Sequence, residues 1–334
     1  MRTLLSLIVL SSIVWASYWF VGSSSLQTGV EQWFDDRRGE GWLAEYNTNE
    51  VQGFPNRFDS HFRNIYLADP GTGWAWTAPE FQINALSYNP GHLIAVWPDQ
   101  QQLATPIDKY QVVSEDMRAS IVAENVANLT LNRATITATE LDVTDSKGHT
   151  AALTSFVLAA EREPEAEDAT YRLGLQIDDF KPSLPWKKLI DPKGALPDSL
   201  DAISADLTVS FDELWSMEAI NTARPQPRNI HIRLAEARWG RLLLQLAGEV
   251  SVDSTGYPTG EITVKARNWK EILELTIASG AVPEGLGGSL KDGLSLLSTL
   301  AGNPETLDIP LTFEYGKVKF GPVPLGPAPV IKLR

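Results

Sequence analysis

Runs that alternate apolar with polar residues decide what this chain can fold into. Residues 203–211 read Ile, Ser, Ala, Asp, Leu, Thr, Val, Ser, Phe, with no break in the alternation. A period of two puts successive side chains on opposite faces of a strand, one face for burial and one for water. Residues 73–98 do the same twice: Phe81, Ile83 and Ala85, then Leu93, Ala95 and Trp97. Pro79 and Pro98 bound this stretch, and Asn89-Pro90-Gly91-His92 supplies turn chemistry, so a β-hairpin is expected.

The pattern recurs along most of the chain. Tyr171, Leu173, Leu175 and Ile177 alternate, as do Ile230, Ile232 and Leu234, and Ile262, Val264 and Ala266. Residues 128–143, 151–160, 242–252 and 307–315 also read as strands, with phase slips near Arg133 and Glu140 that call for bulges. Helical spacing is rarer. Leu26, Val30, Trp33 and Phe34 lie on one helical face, which we expect to pack under the first sheet. Asn268 and Glu271 form a capping-box pattern ahead of a helix to about residue 279. Residues 287–300 carry Leu290, Leu294, Leu297 and Leu300 on one side.

Roughly a dozen strands against three or four helices predict a mainly β (β-rich α+β) fold. Few helices remain to cover a sheet of that size, so it must curl into one large antiparallel sheet or divide into two half-sheets. The expected layout is a signal anchor (1–22), an amphipathic helix (23–43) and an N-terminal β-rich half (44–181). A proline-rich connection (182–200), a C-terminal β-rich half with two helices (201–320) and an extended proline-rich tail (321–334) follow.

Residues 4–21 are apolar apart from small serines and follow Arg2. We read them as a retained single-pass anchor, with Trp15, Tyr18, Trp19 and Phe20 as an aromatic belt at the outer interface. Val14-Trp15-Ala16 also fits a signal-peptide cleavage site. On either reading the bulk of the chain is exported, in the anchored case into the periplasm from the inner membrane. Of the 334 residues none is cysteine, which excludes disulfides and thiolate chemistry. The net charge of −14, with no polybasic run, argues against nucleic acid as a partner.

Catalytic signatures are missing. There is no nucleophile elbow, phosphate-binding loop or dinucleotide fingerprint. His61, His92, His149 and His231 are far apart in sequence, and Asp178-Asp179 would point to opposite faces of a strand. No enzyme activity, cofactor or metal is therefore expected. Eleven tryptophans stand mainly at strand ends and loop edges. They suit core and rim packing, and some also suit the lining of an apolar groove. The groove candidates are Trp76, Phe81, Ile83, Trp97, Leu207, Val209, Phe211, Ile230, Ile232 and Leu244.

Several short motifs in combination carry a family resemblance. They are Tyr18-Trp19-Phe20, Gly53-Phe54-Pro55, Trp76 to Pro79, and Asn89-Pro90 with the run into Trp97-Pro98. DSTGYPTG at 253–260 and GPVPLGPAP at 321–329 complete the set. The chain resembles the domain of unknown function 2125 family, which implies a membrane-anchored envelope protein of Gram-negative bacteria with no catalytic residues to carry over. In architecture it is also similar to AsmA-type proteins, which implies a β-sheet trough open to lipid. The expected function is binding or passage of hydrophobic ligands, lipids first. The alternative is a non-enzymatic envelope module with a closed β core that recruits a protein partner.

Overall fold

The structure, a computed structural model, describes residues 1–125, 128–166, 169–279, 284–300 and 303–333. The fold is mainly β: 53% strand and 22% helix, with eighteen strands of antiparallel sheet and five helices among the described residues. It forms two compact units, one of residues 1–129 and 136–148, the other of residues 130–135 and 149–334.

The first unit opens with α1 (Arg2–Gly39), one uninterrupted helix of 38 residues. The anchor and the amphipathic segment are thus not separate elements. The stretch 22–25 (Gly-Ser-Ser-Ser) is a weak helix former but contains no proline, so nothing breaks the backbone ladder. Arg37 and Arg38 lie in the last turn, where cations complement the helix dipole, and Arg38 Nε donates to Ala44 O at 2.8 Å.

Beyond α1 come β1 (Leu43–Glu45), β2 (Thr48–Gln52), β3 (Arg57–Asp69), β4 (Trp74–Leu86), β5 (Asn89–Val96), β6 (Gln100–Ala104), β7 (Lys109–Val113), β8 (Asp116–Asn125) and β9 (Thr130–Thr144), the first six residues of which belong to the second unit. β1 and β2 share one edge of β3, whose other edge pairs with β4. β4 then forks. Its Gln82–Leu86 half pairs with β5, and its Ala75–Thr77 half pairs with β6. The hairpin turn differs from expectation, because Asn89-Pro90-Gly91-His92 opens β5 and the chain reverses at Ser87-Tyr88. Pro90 fits there since the first positions of a strand need not donate to the ladder. The phase slip expected at Glu140 appears as a left-handed residue (φ 45°).

α1 packs its second half on this sheet. Phe34 joins Ala44, Phe62, Ile65 and Ala78 in a buried cluster, with Val30 against it. Earlier on the helix, Gly22 meets Phe58, and a Cβ at Gly22 would lie 2.6 Å from Phe58 Cζ. Phe58 is buried and stacks on Trp19 at 6.0 Å, so its ring has little room to retreat. Gly22→Leu should therefore destabilise the first unit by about 1–3 kcal/mol through overpacking. Gly29→Ala, where a Cβ meets nothing within 4 Å, should instead be neutral or stabilise by up to about 1 kcal/mol. Denaturant midpoints of the two variants check the contrast.

The second unit holds β10 (Thr150–Arg162), β11 (Ala169–Phe180), α2 (Leu184–Ile190), β12 (Leu200–Phe211), α3 (Met217–Thr222), β13 (Pro227–Trp239), β14 (Leu242–Val252), β15 (Pro258–Arg267), α4 (Trp269–Ala278), α5 (Glu284–Leu300), β16 (Thr306–Glu314), β17 (Lys317–Phe320) and β18 (Val323–Pro327). From β10 to β18 each strand pairs antiparallel with the next, a nine-strand meander.

Three expectations change here. The proline-punctuated stretch 182–200 lies inside this unit, not at its border. Leu196 and Leu200 are buried with Trp239 and Leu242, and Trp239 Nε1 donates to Pro197 O at 2.9 Å. The proline-rich tail contributes a paired strand, β18, at the edge of the meander, where missing N–H groups cost no ladder bond. Asn268 precedes α4 but does not cap it. Its φ of 56° turns the side chain to donate to Arg241 O at 2.6 Å, and Glu271 pairs with the Arg241 guanidinium at 2.9 Å.

Candidate functional site

From β11 to β17 each strand of the meander has one apolar and one mainly polar face. Direct cross-strand partners share a face, so the register of the pairings traces rows across the sheet. One row runs Leu158, Leu175, Ala205, Ala235, Leu246, Val264 and Ile309. The next runs Ala160, Leu173, Leu207, Ile232, Gly248, Ile262, Leu311 and Phe320. A bulge between Ile232 and Ala235 keeps β13 in phase, since the apolar set changes from even to odd numbers across it. Without that extra residue, Ala235 and Ala237 would turn to the wet face.

Neither row contains a buried residue. All are half-buried except Leu158, which is 40% exposed. Burial is concentrated at the strand ends on either side. At one end Leu200, Trp239 and Leu242 pack with Ile272 and Leu275 of α4, and Trp269 packs with Ala266 and Leu307. At the other, Tyr171, Val209 and Phe211 pack with Trp215, and Val250 and Phe313 pack with Ala328. The apolar face is thus closed at both ends and half-open along the middle.

Residues 328–333 close the second of those ends by running across two hairpin turns and the β12–β13 connection. Ala328 N donates to Gly316 O and Ile331 N to Gly256 O, both at 2.8 Å. Leu333 and Gln226 exchange two hydrogen bonds, at 2.9 and 3.0 Å. Gly256 lets the segment pass, since its φ is 94° and a Cβ would sit 2.9 Å from Val330 Cγ1. Leu333 then lines a cavity of about 420 Å³ with Tyr171, Val209, Phe211, Trp215 and Ile230. A second cavity, of about 370 Å³, lies at the opposite end among Leu200, Trp239, Leu242, Leu244 and Ile272.

In the first unit α1 and the sheet enclose a cavity of about 290 Å³. It is lined by Val30, Trp33 and Phe34 of the helix and by Phe62, Trp76, Phe81 and Ile83 of the strands. Ring contacts carry the wall onward, from Phe62 to Phe81 at 6.2 Å and from Phe81 to Trp97 at 5.2 Å. Trp76 Nε1 donates to the buried Gln101 Oε1 at 2.6 Å, which fixes the indole with its apolar face inward.

The ten groove candidates sort by unit. Trp76, Phe81 and Ile83 share the first-unit cavity, with Trp97 against Phe81. Val209, Phe211 and Ile230 share the larger second-unit cavity, Leu207 and Ile232 are direct partners in the half-open row, and Leu244 lines the cavity at the other end. Periodicity alone does not reveal Leu333 or the helix residues Val30 and Trp33 as lining, because only the chain path brings them there. Tyr171 was legible as a position of an alternating run, and Leu246 only as part of the strand expected over residues 242–252.

Titratable groups with displaced pKa values lie away from these apolar rows. Asp206 is held below the usual carboxylate range by the hydrogen bonds of Arg172, at 2.8 and 2.9 Å, on the polar face. Asp253 and Asp69 are lowered by hydroxyl and amide hydrogen bonds inside their own turns. Tyr46 is raised, chiefly by burial against the first-unit core. His92 lies in β5 with its ring 2.9 Å from Ser120 Oγ, and His231 is exposed 3.8 Å from Glu249. No three carboxylate or imidazole groups converge among the described residues.

These features define a mainly β protein with apolar sheet faces and one N-terminal helix long and apolar enough to cross a membrane. More specifically, the chain belongs to the family described as "Uncharacterized protein conserved in bacteria (DUF2125)", which it matches over residues 19–329. No curated protein and no solved structure matches it.

Proposed function

We propose that this is a non-enzymatic protein of the bacterial envelope, held in the inner membrane by α1 with its bulk in the periplasm. It binds the aliphatic part of a lipid along the apolar face of the second unit. The observation that carries this reading is the pair of half-open apolar rows between buried ends. From β10 to β16 there are six strand spacings of about 4.8 Å, so the first row is about 29 Å long. A surface of that length suits an extended lipid tail. Each methylene withdrawn from water contributes about 0.8 kcal/mol, less the cost of ordering the chain. No group need change protonation for a ligand to enter or leave.

The test must separate lipid on the sheet from lipid around α1. A phospholipid with a diazirine at its tail, photolysed with the full chain in nanodiscs, should label peptides carrying Leu207, Ile232 and Leu246 as well as α1. Labelling confined to α1 would overturn the reading. Stoichiometric crosslinking of one protein over these rows would favour the interaction module in its place.

A further inference from the structure

We infer that the first unit makes a second contact with the bilayer: the β2–β3 and β4–β5 turns, carrying Phe54 and Tyr88, lie in the membrane interface beside Tyr18, Trp19 and Phe20. The inference rests on α1 crossing the membrane. A hydrocarbon layer of about 30 Å takes about 20 helical residues at 1.5 Å each, so a span entered near Leu4 is left near residues 22–24. Trp19 and Phe20 then lie within about one turn of the exit.

The two β-turns are fastened to the helix at that depth. The ring of Phe54 is 5.4 Å from that of Trp19 and 5.7 Å from that of Phe20, stacked on the latter at 30°. Tyr18 Oη donates to Ser87 O at 2.6 Å, which fixes the turn that carries Tyr88. Trp19 Nε1 donates to Arg57 O at 2.7 Å. Carbonyls facing lipid find no water to pair with, and here two of them are paired by the helix's own aromatic side chains. Phe54 is 53% exposed and Tyr88 65%, so both present large rings to whatever surrounds the end of the span. Amphipathic and aromatic rings concentrate at the headgroup level. The patch is continuous with the exposed apolar face of α1, and that continuity identifies its occupant as the bilayer.

The absence of cysteine allows single-site labelling. Four variants of the full chain, Ile8→Cys, Phe54→Cys, Tyr88→Cys and Ile107→Cys, would carry a small fluorophore in phosphatidylcholine nanodiscs with or without brominated acyl chains. Ile107 is the reference. It is 93% exposed in the β6–β7 turn, at the other end of β4, whose 13 residues span about 40 Å. Bromine should quench the labels at 8, 54 and 88 at least twofold and leave the label at 107 unchanged. Quenching at 8 with either 54 or 88 behaving like 107 overturns this inference alone. No quenching at 8 overturns the span itself, and the turn contact with it.

Discussion

Tyr171→Ala should cost the second unit about 3–5 kcal/mol, the usual range for deleting a large buried aromatic. Tyr171 is 1% exposed, and its ring meets Phe211 edge-on at 5.9 Å. Its hydroxyl donates to Leu131 O at 3.2 Å and accepts from Trp215 N at 3.3 Å. Removing the side chain leaves a void beside an existing cavity and two backbone groups without their partner. Tyr171→Phe separates the contributions. It keeps the packing and should cost about 1–3 kcal/mol, the penalty for leaving buried polar groups unmet. Chemical denaturation followed by tryptophan fluorescence reads both. A Tyr171→Ala loss below about 1 kcal/mol would show that this end of the sheet is not a packed core.

The second large effect concerns binding. Leu246→Glu places a carboxylate in the middle of the half-open row, between Ala235 and Val264. Water still reaches that half-buried position, so folding should tolerate the charge at a loss of about 1–2 kcal/mol, within the ordinary range for single substitutions. A lipid tail lying there should not. A carboxylate in hydrocarbon surroundings is disfavoured by about 2.5–3.5 kcal/mol, equivalent to roughly a hundredfold in affinity. Tail-diazirine labelling of the second unit should fall accordingly, while labelling of α1 stays unchanged. Leu243→Glu is the matched control, because Leu243 faces the opposite side of β14 and pairs with Arg238 and Arg267. Equal labelling in the two variants would remove the apolar row from the binding surface.

The contrast between these two substitutions shows what could be read from the chain and what could not. Period-two alternation placed Leu207 and Tyr171 each on one face of an alternating strand, and residues 242–252, Leu246 among them, match β14 as observed. Alternation depends only on the pleat, so it survives ignorance of the partners. It could not tell that Tyr171 is packed and Leu246 half-open, because that depends on what lies across the strand ends. The fork in β4 was also hidden, since two short partners on one edge leave no mark on the periodicity of β4 itself. Asn89-Pro90-Gly91 misled for a related reason. Turn-forming residues are also tolerated at the start of a strand, and Ser87, fully buried and held by Tyr18, fixes the reversal instead. The proline-rich segments at 182–200 and 321–329 read as a connection and an extended tail, yet both supply buried or paired positions. Proline forbids a donor, not a contact.

The unbroken run of α1 has a mechanical meaning. Thirty-eight residues at about 1.5 Å each make a rod of about 57 Å, and Val30 and Phe34 weld its upper half to the first unit. A glycine-serine leash of the same length would let its load wander over tens of Å. This strut allows no such excursion: wherever the first half of the rod is held, the first unit follows it and leans only when the rod leans.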